Sequence, residues 1–254
     1  MQKVLIKIGG RAASDKSAFS HLAQEMKKLH DDYSFFFVHG GGAEVTKVSS
    51  AFGLEAEFEN GVRKTSPEEM DVVDMVLGGK MNKYIVRIFA SEGLRAVGIS
   101  GCDGKIFTGE AVAEGSRTGR VTAADPALLS LLSEGDFLPV ISSVSMDSKG
   151  MALNINADEA ALAAAAVLAV DKLIFISDIP GILKDEEVIS KLTPEMAEAE
   201  IAGGVISGGM IPKVESSVEA LKKGVGSVII GGYTSYGDLE RLIDGSLGSD
   251  ITRE

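Results

Sequence analysis

The chain has 254 residues, of which 45% are hydrophobic and 24% are charged. This length allows a well-buried core, either in one large α/β unit or in two lobes that share a sheet, and the composition argues against intrinsic disorder. The formal net charge of −12 argues against binding to nucleic acid or to an anionic membrane through a broad basic surface, so any anionic ligand must meet a local site.

Short apolar runs alternate with helical segments along the chain. Six runs are predicted to be strands, and several of them are apolar almost throughout, which is typical of strands that are covered on both faces in a mostly parallel sheet with helices on each side. In chain order these predicted strands are residues 3–8, 35–38, 96–99, 137–141, 172–176 and 227–230.

Three predicted helices begin with recognisable signals. Ser66 and Thr193 are N-cap residues that are each followed by a proline, and Asn156 followed by Glu159 resembles a capping box. The alternation predicts an α/β fold, in the form of a three-layer α/β/α sandwich around a mostly parallel sheet. We place a boundary near Val170, which divides the chain into lobes 1–170 and 171–254.

Other residue types exclude several classes of protein. A single cysteine, Cys102, excludes an internal disulfide, and the three histidines lack metal-ligand spacing. The first predicted strand begins too early for a signal peptide, and no apolar run is long enough to span a membrane. The sequence therefore predicts a cytoplasmic protein without a metal site made of protein ligands.

Glycine-rich turns follow several of the predicted strands. Ligands of α/β proteins gather at the carboxyl ends of parallel strands, and glycine lets backbone N–H groups approach an anion closely. None of the turns has the spacing of a Walker loop or a Rossmann fingerprint, and each alone could be a plain strand-to-helix turn. The turns contain Gly9-Gly10, Gly40-Gly41-Gly42 and Gly231-Gly232, and a fourth pair, Gly208-Gly209, opens a helix.

Two lysines occupy positions that are unfavourable for a cation. Lys7 lies within an apolar strand, where an ammonium needs an anionic partner unless the strand is at an edge and the side chain reaches solvent. Lys213 lies in the first turn of a predicted helix, where a cation opposes the helix dipole by ~0.3–1 kcal/mol. An anionic substrate would compensate both, although Lys213 could also be a tolerated surface lysine.

Four further polar residues stand at strand or helix ends. Asn154 and Asp158 flank a helix start, where the dipole favours an ionised Asp158, and helix stabilisation alone would explain this aspartate. Arg63 is in a glycine-containing turn before a helix and could bind a carboxylate bidentately, although exposed loop arginines are common. Asp178 closely follows the predicted strand 172–176.

These segments occur in the order found in the amino acid kinase family, which the chain resembles over essentially its whole length. The resemblance implies that family's fold and an enzyme that uses ATP, with Mg²⁺ carried by the nucleotide, to phosphorylate the side-chain carboxylate of N-acetyl-L-glutamate in arginine biosynthesis. The matching segments are Lys7-Ile8-Gly9-Gly10, His39-Gly40-Gly41-Gly42, Asn60-Gly61-Val62-Arg63, Asn154-Ile155-Asn156-Ala157-Asp158, Ser177-Asp178-Ile179-Pro180-Gly181 and Gly208-Gly209-Met210-Ile211-Pro212-Lys213-Val214.

The same resemblance implies a role for each candidate residue. Lys7 and Lys213 would hold the transferring phosphoryl group, and Asp158 would orient them. Lobe 1–170 would bind the acyl amino acid and form a homodimer through the helix that runs from Pro67 towards Ala90, whereas lobe 171–254 would bind the nucleotide. The substrate-binding residues would be Gly41, Gly42, Arg63 and Asn154, and the phosphate- or nucleotide-binding residues would be Gly9, Gly10, Asp178, Gly209 and Met210.

The chain also departs from the family in two places. Tyr233-Thr234-Ser235-Tyr236 replaces an Asp-Gly-Arg turn that is common in family members, and Gly248-Ser249-Asp250 differs as well, which affects the expected nucleotide contacts. Relatives that are inhibited by arginine form hexamers and carry a helix before the first strand, and this sequence shows no such helix before residue 3. We therefore expect a homodimer without a hexameric arrangement and without arginine feedback.

Three alternatives to this function remain open. One is a kinase for N-acetylaminoadipate in lysine biosynthesis, although those enzymes more often carry an extra aspartate where Asn156 stands. Another is a kinase for aspartate, glutamate or uridylate, whose motifs near Asn154 differ. The third is a catalytically inactive ligand-binding homologue, against which the joint presence of Lys7, Asp158 and Lys213 argues.

Overall fold

The computed structural model describes residues 1–9, 16–59 and 61–253 and confirms the α/β fold. All six predicted strands are present within two residues of their predicted bounds. The strands are β1 Gln2–Ile8, β2 Tyr33–His39, β3 Glu57–Glu59, β4 Val62–Lys64, β5 Ala96–Ser100, β6 Phe107–Ala111, β7 Thr118–Ala124, β8 Leu138–Ser142, β9 Val144–Met146, β10 Ala152–Ile155, β11 Lys172–Ser177, β12 Leu183–Lys184, β13 Glu187–Val188, β14 Lys191–Leu192, β15 Ser227–Gly232 and β16 Ser249–Thr252.

Helices connect many of these strands. A π-helical segment, Asp74–Met81, joins the third helix to the fourth, so that the predicted helix from Pro67 towards Ala90 continues without a loop. The α-helices are α1 Lys16–Lys28, α2 Gly42–Ala51, α3 Pro67–Val73, α4 Asn82–Ser91, α5 Ala127–Glu134, α6 Ala157–Leu168, α7 Pro194–Ala202, α8 Met210–Lys222 and α9 Asp238–Asp244.

The central sheet contains eight strands in the order β14-β16-β15-β11-β1-β2-β8-β5. The six strands from β15 to β5 run parallel to one another, whereas β16 is antiparallel to β15 and β14 runs parallel to β16. Since β1 pairs with both β2 and β11, the sheet continues across the proposed lobe boundary near Val170. A smaller sheet, β6-β7-β10-β9, and the hairpins β3-β4 and β12-β13 complete the strands of the described chain.

Strand β1 shows how the core fixes the direction of its side chains. Val4 and Ile6 pack with α1, α4 and α9 on one face of the sheet, whereas Leu5 packs with α6 and α8 on the other. Successive side chains of a strand alternate between faces, so Lys7 shares the face of Leu5 and points towards α6 and α8. The helices on both faces give the predicted three-layer sandwich.

Side-chain caps start three helices, and one of them differs from the prediction. The hydroxyl of Ser66 accepts a hydrogen bond from the N–H of Glu69, and Thr193 starts α7 in the same manner, as predicted. Asn156 caps α6 by accepting from the N–H of Asp158, but Glu159 does not complete a capping box. Instead, its carboxylate accepts from the N–H of Val121 in the neighbouring strand β7 at 2.6 Å.

The segment that departs from the family, residues 233–236, packs against α1. The hydroxyl of Tyr233 donates to Glu25 at 2.6 Å, and the other carboxylate oxygen of Glu25 accepts from the N–H of Leu239 at 3.1 Å. Burial, together with Glu25, raises the pKa of the Tyr233 hydroxyl, which keeps it a donor. The segment thus ties the start of α9 to α1.

Across the described ranges, no helix is long and apolar enough to cross a membrane.

Candidate active site

The parallel strands end at one edge of the sheet, and a cavity of about 810 Å³ opens there. The turn after β1 and the turn after β2 form part of its wall, and the strands β4 and β10 close another side. Seven of the residues predicted from the sequence lie in this wall. They are Lys7, Gly9, Gly41, Gly42, Arg63, Asn154 and Asp178.

The centre of the site is an ion-pair cluster made by three predicted residues. Lys7 Nζ lies 2.5 Å from Asp158 Oδ1, and Lys213 Nζ lies 3.6 Å from Asp158 Oδ2. The three residues come from β1, α6 and α8, respectively. Because β1 is an interior strand of the sheet, the edge-strand interpretation of Lys7 is excluded, and its side chain is only 12% exposed.

The electrostatics of the cluster favour one anion and two cations. Burial alone would raise the pKa of Asp158, but Lys7 and Lys213 outweigh it and hold that pKa below its usual value. Burial lowers the pKa of Lys213, and Lys7 lowers it further, whereas Asp158 opposes both effects. The Lys213 ammonium also lies 5.1 Å from the centre of the Phe175 ring. One carboxylate shared by two ammonium groups leaves a net positive charge beside the cavity.

The glycines of the first two turns leave room for neighbouring side chains. A Cβ at Gly9 would lie 2.6 Å from Lys7 Nζ, so a larger residue there would displace the ammonium from its present position. A Cβ at Gly41 would lie 2.9 Å from a methyl group of Leu77 in the π-helical segment. Gly42 begins α2, whose first N–H groups have no partner within the helix. Gly10 lies outside the described residues.

Arg63 is placed differently from the sequence prediction. It belongs to strand β4 rather than to a turn, and it is 7% exposed. Its Nη1 donates to Glu69 Oε1 at 2.6 Å, and its Nη2 donates to the carbonyl of Gly42 at 3.0 Å and to the hydroxyl of Thr46. The hairpin that carries Arg63 packs over α2 and α3, which buries the guanidinium in a fixed orientation.

Asn154 lines the same cavity as Arg63. Its Nδ2 donates to the hydroxyl of Thr65 at 2.9 Å, and Thr65 follows β4 directly. The two predicted substrate-binding residues are therefore linked through one strand, and both face the same cavity as Lys7.

The residues predicted to bind the nucleotide lie apart from one another. Asp178 follows β11 and lines both the main cavity and a second cavity of about 570 Å³ near β15 and α9. Gly209 and Met210 lie at the start of α8 and line neither of these two cavities. A Cβ at Gly209 would have no neighbour within 4 Å, so this helix start is open.

The structure adds site residues that the sequence reasoning missed. Ser143 follows β8 at the same edge and lines the cavity, so the rule that strand ends carry ligand contacts could have found it. Tyr84 and Arg87 reach the cavity from α4, three residues apart on one helix face. Glu69, the partner of Arg63, is an acidic residue in the first turn of α3, where helix-dipole stabilisation already explains it.

Known proteins match this chain in sequence over most of its length. The sequence profile of the amino acid kinase family matches residues 2–232. The acetylglutamate kinase of Bacillus licheniformis is 41% identical over 230 residues, which cover 89% of this chain and 88% of that protein.

Solved structures show the same fold. The protein smu.665 from Streptococcus mutans UA159 superimposes with a TM-score of 0.78 at 27% identity, covering 99% of both chains. Carbamate kinase from Giardia superimposes with a TM-score of 0.72 at 16% identity, covering 100% of this chain and 99% of that one.

The buried pair of Arg63 and Glu69 gives a stability prediction. Glu69→Ala should lower the free energy of unfolding by about 3–5 kcal/mol, because it leaves the guanidinium buried without a counter-charge. The measurement is urea denaturation followed by circular dichroism. The control is Glu59→Ala on the same hairpin, which removes an exposed partner of Lys64 at 3.3 Å and should change little. Equal effects of the two substitutions would contradict the assignment.

Proposed function

The chain belongs to the amino acid kinase family, and on that premise we propose that it transfers the γ-phosphoryl group of ATP to the side-chain carboxylate of N-acetyl-L-glutamate. The reaction would be a step of arginine biosynthesis. The observation that carries the proposal is the cluster in which Asp158 holds Lys7 and Lys213 beside a cavity that also contains Arg63 and Asn154.

The chemistry of this reaction suits a site made of cations. A side-chain carboxylate has a pKa of about 4.3 and is already ionised at neutral pH, so that no general base is needed to activate it. The obstacle is that two anions must meet in line. Lys7 and Lys213 would neutralise the charge that develops on the transferring group, and Asp158 would keep both ammonium groups in place.

The other end of the cavity would hold the acyl amino acid. We assign the α-carboxylate to Arg63 and the acetylamino group to Asn154, since these are the fixed polar side chains of that wall. The backbone N–H groups of Gly41 and Gly42, at the start of α2, would contact the reacting end. Together these contacts would align the carboxylate with the phosphoryl group.

The nucleotide would bind to lobe 171–254. We assign its phosphates to Gly9, Gly10 and the helix start at Gly209 and Met210, and we also assign Asp178, which follows β11, to the nucleotide. In the described part of the chain, no group of three or more His, Cys, Asp or Glu residues could hold a metal ion. We propose that Mg²⁺ enters as part of the MgATP substrate and supplies further positive charge to the phosphates.

We also propose a cytoplasmic homodimer. The dimer surface would be the stretch formed by α3, the π-helical segment and α4, in which Met75 is 53% exposed. Lobe 1–170 would then bind the acyl amino acid and form the dimer. Size-exclusion chromatography with light scattering measures the oligomeric state directly.

A panel of acceptors tests the proposed reaction. A coupled assay of ADP release should show turnover with N-acetyl-L-glutamate at a kcat/KM at least tenfold above that with N-acetylaminoadipate, glutamate or aspartate. One methylene group shifts discrimination by ~1–3 kcal/mol, so the aminoadipate comparison is the most demanding. Preference for N-acetylaminoadipate would assign the enzyme to lysine biosynthesis. Ligand binding without any turnover would refute the proposal that the protein is an enzyme.

The two lysines give a prediction about the transition state. Lys7→Ala and Lys213→Ala should each lower kcat by about 10²-fold or more while changing KM far less, because the charge they neutralise develops mainly in the transition state. Matched controls are Lys3→Ala on the same strand and Lys223→Ala just after α8, which should change kcat little. An unchanged kcat in either site variant would remove that lysine from the transition state.

Asp158 gives a prediction about pH. Asp158 opposes the lowering of the Lys213 pKa by burial and by Lys7, so Asp158→Asn should lower that pKa further. Lys213 then loses its proton at a lower pH, and the alkaline fall of kcat should begin at a lower pH than in the native enzyme. The measurement is kcat between pH 6 and pH 10, with the exposed Glu219→Gln as control. An alkaline fall at an unchanged or higher pH contradicts the coupling.

A further inference from the structure

His39 is the last residue of β2 and stands directly before the turn of Gly40, Gly41 and Gly42. It is 1% exposed, so its imidazole lies behind the turn rather than in the cavity. The proposed reaction assigns no role to this side chain. A fully buried polar ring next to the reacting groups nevertheless needs a partner for each nitrogen.

The partners of His39 determine its tautomer. Nδ1 lies 2.9 Å from the carbonyl oxygen of Gly40, which can only accept, so Nδ1 carries the proton. Nε2 lies 3.1 Å from the amide nitrogen of Asn82, which can only donate, so Nε2 is the acceptor. Burial, with a smaller contribution from Lys83 and against the Gly40 hydrogen bond, lowers the pKa of His39 to about 4. The ring is therefore neutral around pH 7.

Asn82 is itself held in one orientation. It is fully buried at the start of α4, and its Nδ2 also donates to the carbonyl of Val140 at 2.9 Å. Its Oδ1 accepts from the ammonium of Lys83 at 3.0 Å, so the amide cannot flip without placing two acceptors together. Asn82 thus supplies the donor that keeps the proton of His39 on Nδ1.

The hydrogen bond to Gly40 fixes the direction of the next N–H group. The described chain has no cis peptide bond, and in a trans peptide the carbonyl and the N–H of the following residue point in opposite directions. Because the Gly40 carbonyl is held by a ring behind the turn, the N–H of Gly41 points away from the ring, towards the cavity. No backbone carbonyl of the described residues accepts a hydrogen bond from that N–H.

We propose that His39 is a positioning residue for phosphoryl transfer, whose Nδ1–H tautomer anchors the Gly40 carbonyl and thereby aims the N–H of Gly41 at the reacting group. The proposal rests on the proposed kinase function. Three consecutive hydrogen bonds link Lys83 to Asn82, Asn82 to His39, and His39 to the Gly40 carbonyl. This series ends at the peptide group that carries the N–H of Gly41.

Two substitutions separate positioning from support of the fold. In Asn the amide nitrogen can replace Nδ1, so His39→Asn keeps a donor for the Gly40 carbonyl. In Gln the amide oxygen can replace Nε2 as the acceptor, so His39→Gln keeps the hydrogen bond from Asn82 but loses the donor for Gly40. Both lose one buried hydrogen bond and should lose similar thermal stability. We expect His39→Gln to lower kcat with N-acetyl-L-glutamate at least tenfold and His39→Asn to lower it less than threefold, with KM nearly constant in both.

Equal losses of kcat, or a loss that follows thermal stability, would overturn the proposal. A second measurement needs neither variant nor substrate. In the ¹⁵N spectrum of the native protein, His39 should be the Nδ1–H tautomer and should not titrate between pH 5.5 and pH 8. An Nε2–H tautomer of His39, or titration of His39 near pH 6.5, contradicts the proposal. If the native protein turns over no acceptor while this spectrum is observed, the proposed function fails but the tautomer assignment stands.

Discussion

The ion pairs of Asp158 with Lys7 and Lys213 constrain much of the structure. Strand β1 lies inside the sheet and the side chain of Lys7 is largely buried, so its ammonium needs an anion on the face that carries α6 and α8. Asp158 in the first turn of α6 provides that anion, and the start of α8 must come close enough for Lys213 to share it. The distances of α6 and α8 from the sheet therefore depend on these ion pairs as well as on apolar packing.

The sequence was sufficient for the parts of the fold that depend on continuous apolar runs. All six predicted strands are present because strands covered on both faces need such runs, and the cavity lies where the strand-end rule places it. Arg63 was predicted as a candidate but placed wrongly in a turn. Its hairpin has strands of three residues with charged side chains, and no apolar alternation marks it as a strand.

Long-range polar contacts could not be predicted from one sequence. His39 and Asn82 are 43 positions apart, and Tyr233 meets Glu25 across 208 positions. Each of these residues is unremarkable locally, since a histidine at a strand end or a glutamate on a helix has several ordinary explanations. Their roles follow only from burial, which demands a partner for every polar atom and thereby identifies which residues act together.

The two ion-pair clusters at the cavity differ in charge, and the difference fits the roles proposed for them. Arg63 is paired one-to-one with Glu69, so this pair is neutral, whereas Asp158 is shared by two lysines, so that cluster carries one positive charge. Only interactions that are stronger in the transition state than in the bound substrate accelerate a reaction. The α-carboxylate of the proposed substrate keeps its charge throughout, so a neutral, rigid pair is enough to orient it. In the proposed reaction the uncompensated charge would lie instead where charge is redistributed during transfer, and there it would lower the barrier rather than only tighten binding.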